Sequence, residues 1–393
     1  MRNIIGNPVE GDDFFDRPKI LDKLRRDLDD LANVLLVSPR RVGKTSLVIR
    51  LCENWRSDPK RKAVFLDVEG RGDELAFAEK LVEALARAEL NPDVLTRAMG
   101  VFTKIRQNLG AKGIKVAGLE ITLGEAGDAD HSTLGKMLES VFRKIEEGDT
   151  QVLIAIDELP EFLLTLQKAE DGPRRVIAFL HWLRELRQTF RQKIRWVFLG
   201  SIGLDNFVED QKLQKLINDL KAFALEAFSA EEADRFLKEL GESNGLALTD
   251  AERQEIIRRV GWPLPYHLHL VFHELRDLES RSISTAFDSL LQPQKLSYFD
   301  TWHERIDIQF SAPNAAACKA ILGHLCNYPD GRERGQILDM LMSKPSADIE
   351  QVEERLSRLL LVLQRDGYLL ESAGRYAFRS FLLREYWHRR YVR

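Results

Sequence analysis

The stretch VLLVSPRRVGKTSLVIRL, residues 34–51, decides the fold of the first part of the chain. An apolar run leads into a short loop, and Gly43-Lys44-Thr45 then opens an amphipathic helical pattern. In this arrangement the N–H groups of the loop and the positive end of the helix dipole converge on phosphate oxygens. The spacing is that of G-x-x-x-x-G-K-[ST], with Ser38 at the first position, and it predicts a triphosphate site.

The residue types of this loop suit the phosphates and the metal ion of Mg–ATP. Gly43 allows the backbone to approach phosphate closely, the Lys44 ammonium reaches the β- and γ-phosphates, and the Thr45 hydroxyl ligates Mg²⁺. The alternative is a chance Gly-Lys-Thr at the start of a helix. The loop residues predicted to bind nucleotide are Ser38, Pro39, Arg40, Arg41, Val42, Gly43, Lys44, Thr45 and Ser46.

A second apolar run, QVLIAIDELPEF at residues 151–162, ends in two acids, Asp157 and Glu158. Ligands of open α/β sheets bind at the carboxyl ends of the strands, where these side chains are predicted to lie. Asp157 is predicted to hold Mg²⁺, directly or through water, and Glu158 to act as general base toward the attacking water. The alternative is an ordinary solvated strand end.

A third apolar run, RWVFLGSIG at residues 195–203, ends at Gly200-Ser201. A polar side chain at this edge of the sheet can hydrogen-bond the γ-phosphate or the lytic water. Ser201 is therefore a candidate catalytic residue, and the alternative is a serine that caps a turn.

Strands and helices alternate over the first two hundred residues, which predicts a layered α/β fold with a parallel sheet. The apolar runs show no alternation, as expected for strands that are covered on both faces. The glycine-rich segment GIKVAGLEITLGE, residues 113–125, predicts an inserted β-hairpin. The predicted strands lie at residues 34–37, 63–68, 152–156 and 197–200, and the helices between them begin near residues 45, 74 and 173.

The second half of the chain is predicted to be mainly helical. Ser229 precedes a helical pattern with acids in its first turn, which indicates a helix start. Helices then continue to about residue 306 and predict a helical lid. Three further helices and two short strands around residues 368–378 predict a winged helix. The predicted domains are therefore residues 1–228, 229–308 and 309–393.

Composition excludes several classes of protein. The 393 residues are 44% hydrophobic and 31% charged, which is typical of a globular protein and not of a disordered one. The net charge of −4 argues against a surface that coats nucleic acid throughout. Three cysteines without a C-x-x-C pair predict free thiols in a reducing compartment. With no signal peptide and no membrane-length apolar run, we expect a cytoplasmic protein without membrane contact.

Four segments together resemble the archaeal-type ATPase family, within the AAA+ and STAND branches of P-loop proteins: SPRRVGKTS, IAIDELP, LGSIG and YAFRSFLLREYW. The resemblance covers nearly the whole chain and implies an ATPase that uses ATP and Mg²⁺. It further implies that Phe15 and Arg17 in FFDRPKILDKL lie near the adenine. Pro263 in GWPLPYHL matches the Gly-x-Pro motif of STAND lids, which packs against the nucleotide.

One feature of ring-forming AAA+ proteins is missing. No arginine occurs between Arg195 and Arg235, where an arginine finger usually follows the first sensor strand. The segment 174–195 holds seven basic residues against one acid. Such a segment is expected to form a solvated helix face, with a trans-acting arginine or a nucleic-acid contact as alternatives.

Three functional hypotheses remain open from the sequence. The first is a regulatory ATPase, in which ATP and its hydrolysis move the lid and winged helix between two arrangements that a protein partner or another copy of the chain detects. The second is a DNA-associated ATPase, although Glu350, Glu353 and Glu354 lie at the start of the predicted recognition helix and repel phosphate. The third is a nucleotide-binding module with negligible turnover.

Overall fold

The structure, a computed structural model, describes most of the chain. Two predictions lie outside the described residues: the hairpin at residues 113–125 and the candidate residue Ser201. The described residues are 1–90, 100, 129–200, 204–278, 281–342 and 349–391.

The chain divides into two compact units. The first unit consists of Met1–Phe15, Ser38–Gly43 and Leu225–Arg393, and the second consists of Asp16–Val37 and Lys44–Ala224. The short loop Ser38–Gly43, which carries most of the predicted phosphate-binding residues, packs with the first unit. The predicted domain limits after residues 228 and 308 stay a prediction.

The second unit contains a five-stranded parallel sheet in the order β2-β3-β4-β1-β5. Four of its strands were predicted from their apolar runs. The edge strand β5 was missed because most of its residues are exposed and it carries a lysine, so it lacks a continuous apolar run. The strands are β1 Asn33–Val37, β2 Arg61–Asp67, β3 Gln151–Asp157, β4 Ile194–Phe198 and β5 Leu220–Ala224.

Helices of the second unit bury their apolar faces against this sheet in one hydrophobic core. The predicted helix starts near residues 45, 74 and 173 are confirmed to within one residue. The described helices of this unit are α1 Pro18–Asp29, α2 Lys44–Trp55, α3 Glu74–Arg87, α4 Ala129–Glu146, α5 Leu159–Gln167, α6 Gly172–Thr189 and α7 Leu204–Asp210.

The basic segment around α6 is not simply a solvated face, and that expectation is wrong for three of its arginines. Arg175 forms a buried ion pair with Glu74. Arg187 pairs with Asp219 and also donates to the carbonyl of Leu216. Arg195 donates to several backbone carbonyls. These three side chains are buried. Their hydrogen bonds and ion pairs offset the free-energy cost of removing each guanidinium group from water.

Helices of the predicted lid belong to the first unit. The predicted start at Ser229 is confirmed: its hydroxyl accepts the Glu232 N–H, and the Glu232 carboxylate accepts the Ser229 N–H, which forms a capping box. The lid helices are α8 Ala230–Ser243, α9 Asp250–Val260, α10 Pro265–Asp277, α11 Ile283–Leu290 and α12 Ser297–Gln309.

The end of the chain forms the predicted winged helix, also within the first unit. A three-stranded antiparallel sheet in the order β6-β8-β7 provides the wing, and its turn uses the left-handed residues Ala373 and Gly374. The elements are α13 Ala312–Leu325, β6 Arg332–Glu333, α14 Arg334–Leu341, α15 Ile349–Arg365, β7 Leu369–Ser372, β8 Arg375–Phe378 and α16 Phe381–Tyr391. Within the part of the chain that is described, no helix combines the length and apolarity needed to span a membrane.

Candidate nucleotide-binding site

Asp157 is the last residue of β3, at the carboxyl edge of the parallel sheet. Hydrogen bonds to both neighbouring strands fix this strand end: Val68 donates its N–H to the Asp157 carbonyl, and Leu199 donates to the Ile156 carbonyl, both at 3.0 Å. The Asp157 side chain is only 5% exposed. The backbone therefore holds this carboxylate in one place at the edge where ligands of such sheets bind.

The Thr45 hydroxyl contacts this carboxylate. Its Oγ1 donates to Oδ2 of Asp157 at 2.7 Å. Thr45 is the second residue of α2 and follows Lys44, which is buried. Thr45 and Asp157, the two predicted metal ligands, are therefore in direct contact, and their role toward a metal stays a prediction.

The donor set fits magnesium. Mg²⁺ prefers oxygen ligands and is usually held by one or two protein oxygens together with phosphate and water. Thr45 and Asp157 offer two such oxygens beside a helix start. No group of three or more His, Cys, Asp or Glu side chains suited to hold a metal occurs among the described residues. The described residues therefore contain no metal site built from protein ligands alone. Thr45 and Asp157 instead suit a cation that a phosphate group also ligates.

Burial raises the pKa of Asp157 to about 6. The neighbouring carboxylate of Glu158 acts in the same direction, while hydrogen bonds from the Thr45 hydroxyl and the Glu158 N–H oppose the rise. A carboxylate whose charged form is disfavoured by burial is stabilised when a cation lies beside it. A cation bound beside Asp157 would therefore stabilise the charged form of this carboxylate.

Glu158 has a left-handed backbone, with φ 57°, which is uncommon for a residue other than glycine. Its N–H donates to Asp157 Oδ1 at 2.9 Å, and α5 begins with the next residue, followed by Pro160. Non-glycine residues in this conformation cluster at functional sites, where the surrounding structure holds them. The residue is partly exposed.

Gly200 lies close to Pro160 and to the Glu158 carboxylate. A Cβ atom at Gly200 would lie 2.6 Å from Cδ of Pro160 and 3.5 Å from Oε2 of Glu158. Gly200 follows β4, the strand that pairs with β3. The end of β4 therefore approaches Glu158 closely because position 200 has no side chain.

Asp67 lies beside Asp157 at the carboxyl edge of the sheet, and the sequence analysis missed it. It is the last residue of β2 and pairs in register with Asp157. Its charge contributes to the raised pKa of Asp157. The signal was an acid at the end of the run KAVFLD, but it became informative only once β2 was known to neighbour β3.

The loop Ser38–Gly43 has two left-handed residues, Arg41 with φ 67° and Gly43 with φ 91°. Val42 between them does not share this conformation. Left-handed residues in a loop can turn successive N–H groups toward one point and create a concavity for an anion. The binding of phosphate by this loop stays a prediction.

Ser38, which replaces the usual first glycine of the pattern, has a defined contact. Its hydroxyl accepts a hydrogen bond from the N–H of Leu225 at 2.6 Å. The side chain therefore ties the start of the loop to the segment that opens the helical part of the first unit.

The residues predicted to lie near the base occupy three different settings. Phe15 packs edge-on against Phe228 and Phe236 in the first unit, at ring-centroid distances of 5.2 and 5.6 Å. Arg17 is buried in the second unit and precedes α1. The Pro263 carbonyl accepts the Phe228 N–H at 3.2 Å. The roles of Phe15, Arg17 and Pro263 toward adenine stay predictions.

Comparison with solved structures identifies the fold. A Walker-type ATPase of Pyrococcus abyssi superposes with a TM-score of 0.65 at 17% identity, over 99% of this chain and 100% of that one. The ORC2 protein of Aeropyrum pernix, in its ADPNP–ADP complexes, gives a TM-score of 0.52 at 13% identity, over 94% and 91%. No family model and no curated protein sequence matches the chain. The chain therefore shares the fold of these two proteins.

Proposed function

We propose that this protein binds ATP with Mg²⁺ and hydrolyses it to ADP and phosphate. The observation that carries the proposal is the 2.7 Å contact between the Thr45 hydroxyl and the Asp157 carboxylate, beside Lys44 at the start of α2. This set supplies a cation for the terminal phosphates and oxygen ligands for the metal. The P-loop ATPase fold supports the same activity.

Each residue has a defined task in this proposal. Lys44 binds the β- and γ-phosphates, while Thr45 and Asp157 hold Mg²⁺ against them. When bound there, Mg²⁺ would supply positive charge that offsets the charge developing on the phosphoryl group. Glu158 accepts a proton from water as the water oxygen bonds to the γ-phosphorus and the bond to the β–γ bridging oxygen breaks. The products are ADP and inorganic phosphate, and the proton leaves from Glu158.

We further propose that hydrolysis acts as a conformational switch. The loop Ser38–Gly43 packs in the first unit together with the lid and winged-helix residues. A ligand that binds the loop differently before and after hydrolysis would shift the arrangement of these helices. A protein partner or another copy of the chain would then detect the change.

Binding of duplex DNA by the winged helix is the competing proposal. The side chains of Glu350, Glu353 and Glu354 are exposed near the start of α15, the helix that would enter a groove. Acids at this end repel the phosphate backbone. We therefore favour a protein surface as the target of the switch.

The central test separates binding from hydrolysis. Lys44→Ala is expected to weaken Mg–ATP binding in calorimetry by about 100-fold, because charge-assisted hydrogen bonds contribute about 1.5–3 kcal/mol each. Glu158→Gln should still bind ATP but hydrolyse it about 10²–10⁴-fold more slowly, which is the usual contribution of a general base. The matched control is Glu170→Gln, an exposed acid beyond α5.

The results distinguish the hypotheses. No heat with Mg–ATP on folded wild-type protein would contradict the proposed function as a whole. Equal turnover by wild type and Glu158→Gln would contradict the general-base role and, if that turnover is negligible, would favour a nucleotide-binding module. Stimulation of the ATPase rate several-fold by duplex DNA would favour the DNA-associated alternative.

A further inference from the structure

The phosphate loop contains an arginine in a conformation that normally suits glycine. Arg41 has φ 67°, and an L-residue in this region is strained because its Cβ approaches the following carbonyl oxygen. Such a residue keeps this conformation only where its surroundings hold it. A contact that restrains Arg41 would help to keep the loop in this conformation.

Tyr266 of the lid provides this contact. The guanidinium carbon of Arg41 lies 4.1 Å from the centre of the Tyr266 ring, within the range of a cation–π interaction. The ring is 9% exposed, and its hydroxyl donates to the Tyr298 carbonyl at 3.2 Å. Burial raises the pKa of Tyr266, and the positive charge of Arg41 opposes the rise. The guanidinium group thus lies on a buried ring, while Arg41 itself is partly exposed.

The position of Tyr266 is set by the lid and not by the loop. Gly261 ends α9 with φ 74°, and a Cβ there would lie 2.7 Å from the Phe381 ring. Pro265 starts α10, so Tyr266 is the second residue of that helix. The hydrogen bond from Phe228 to the Pro263 carbonyl fixes the segment between the two helices. The lid therefore holds the Tyr266 ring in place beside Arg41.

Other contacts hold the residues that precede Arg41 in the loop. Nη1 of Arg40 donates to the Thr301 carbonyl at 3.5 Å. Pro39 lies against Gly367, where an added Cβ would come within 3.0 Å of the proline Cβ. These contacts restrain Pro39 and Arg40, whereas the left-handed residue itself is held through its guanidinium group on Tyr266.

We propose that Tyr266 is a positioning residue for nucleotide binding. It holds Arg41 in the left-handed conformation, so that the N–H groups of the loop stay gathered for a phosphate group. Tyr266 itself need not touch the nucleotide. The inference rests on the proposed function, and it adds that the position of α10 sets the affinity of the loop for ATP.

The test is a double-mutant cycle on Tyr266 and Arg41 in the full chain, with the Kd for Mg–ATP measured by calorimetry. Tyr266→Leu should raise Kd about fivefold, because the loss of the cation–π contact releases the strained residue. Tyr266→Phe keeps the ring and should stay within about twofold of wild type. In the Arg41→Gly background, Tyr266→Leu should change Kd by less than about twofold, because glycine adopts positive φ without a steric cost.

A second comparison leaves the lid intact. Arg41→Ala and Arg41→Gly both remove the guanidinium group, but only alanine is strained at this φ. The Kd of Arg41→Ala should therefore exceed that of Arg41→Gly by about fivefold. This pair keeps the inference testable where Tyr266→Leu fails to fold.

The outcomes are separable from those of the proposed function. Equal effects of Tyr266→Leu in both backgrounds would assign the loss to general damage of the lid and overturn the inference. Equal Kd values for Arg41→Ala and Arg41→Gly would overturn it as well. Wild-type protein that does not bind ATP at all would contradict the proposed function, whereas normal binding by Tyr266→Leu would contradict only the role of Tyr266.

Discussion

Arg41 and Glu158 share an unusual backbone but are held in different ways. Both are non-glycine residues in the left-handed region, with φ values of 67° and 57°. Glu158 is held by its sequence neighbours: the Asp157 carboxylate accepts its N–H, and α5 starts at the following residue. Arg41 is held by Tyr266, which lies far away along the chain.

This difference separates residues that are placed by backbone hydrogen bonds of the sheet and its turn from residues that are placed by side-chain contacts. Residues at the end of β3 are placed by strand pairing and by the turn into α5. The loop Ser38–Gly43 is placed by side-chain contacts with the lid and the winged helix. We therefore expect changes in the first unit to alter the loop, and changes near Pro160 to alter Glu158.

The largest effect is expected for Gly367→Val in the first unit. A Cβ at this position would lie 2.4 Å from the Trp262 ring, and φ is 84°. Overpacking and left-handed strain together should lower the free energy of unfolding by about 3–4 kcal/mol. Chemical denaturation measures the loss.

The matched control is Gly374→Val, at the turn of the wing. This glycine has φ 76°, but nothing lies within 4 Å of an added Cβ. It should cost only the backbone strain, about 1–2 kcal/mol. Equal losses in the two variants would show that the close approach of Trp262 and Pro39 to Gly367 contributes nothing.

Gly200→Val tests the placement of Glu158, the residue that follows β3. Its Cβ would overlap the Pro160 ring and approach the Glu158 carboxylate. We expect the unfolding free energy to fall by about 2–3 kcal/mol, as is usual for overpacking, and kcat to fall at least about tenfold with little change in the Kd for ATP. Gly72→Val is the control, because an added Cβ there meets nothing within 4 Å. A Gly200→Val variant with normal kcat would argue against Glu158 as the base.

The sequence predicted where Asp157 and Glu158 lie in the fold, whereas their roles stay predictions. Asp157 and Glu158 were assigned because an apolar strand that ends in acids indicates the edge of a parallel sheet. The three helices and two short strands of the winged helix were likewise predicted from the sequence. Apolar runs, strand-end acids and helical periodicity involve residues that are close together in the chain, so they can be recognised from the sequence alone.

The tertiary contacts could not be predicted in this way. Nothing in SPRRVGKTS indicates that Arg41 lies on Tyr266 or that Ser38 accepts the Leu225 N–H. The three buried arginines near α6 were misjudged for the same reason, because their partners Glu74, Asp219 and Leu28 lie on other elements. Asp67 became part of the site only through its pairing with Asp157.

Acid is expected to weaken the first unit through its buried histidines. Burial lowers the pKa of His267 to about 3, and neither ring nitrogen has a hydrogen-bond partner within the described part of the chain. Protons therefore bind the unfolded state more strongly, since its histidine pKa is about 6.5. The stabilisation is fully present above pH 6.5 and is lost as the pH falls toward 3. At pH 5 the loss from His267 is about 2 kcal/mol.

Unfolding experiments at pH 7.5 and pH 5 measure this loss. His267→Phe should show a shallower dependence on pH than wild type, because the proton-binding group is gone. His269, whose pKa burial lowers to about 4, acts in the same direction and should leave part of the dependence in place. The control is His181→Phe, an exposed position on α6. An unchanged slope in His267→Phe would contradict the assignment.

The smallest effect is expected for Ser38→Ala. The variant removes the acceptor of the Leu225 N–H, and one hydrogen bond of this kind contributes about 1 kcal/mol to the free energy of unfolding. Because Tyr266 still holds Arg41, the Kd for ATP should rise by less than about threefold. Ser57→Ala is the control, since its hydroxyl bonds only the Asn54 carbonyl in an exposed turn. A loss of affinity comparable to that of Tyr266→Leu would instead place the main restraint of the loop at Ser38, at the start of the loop and not at its left-handed residue.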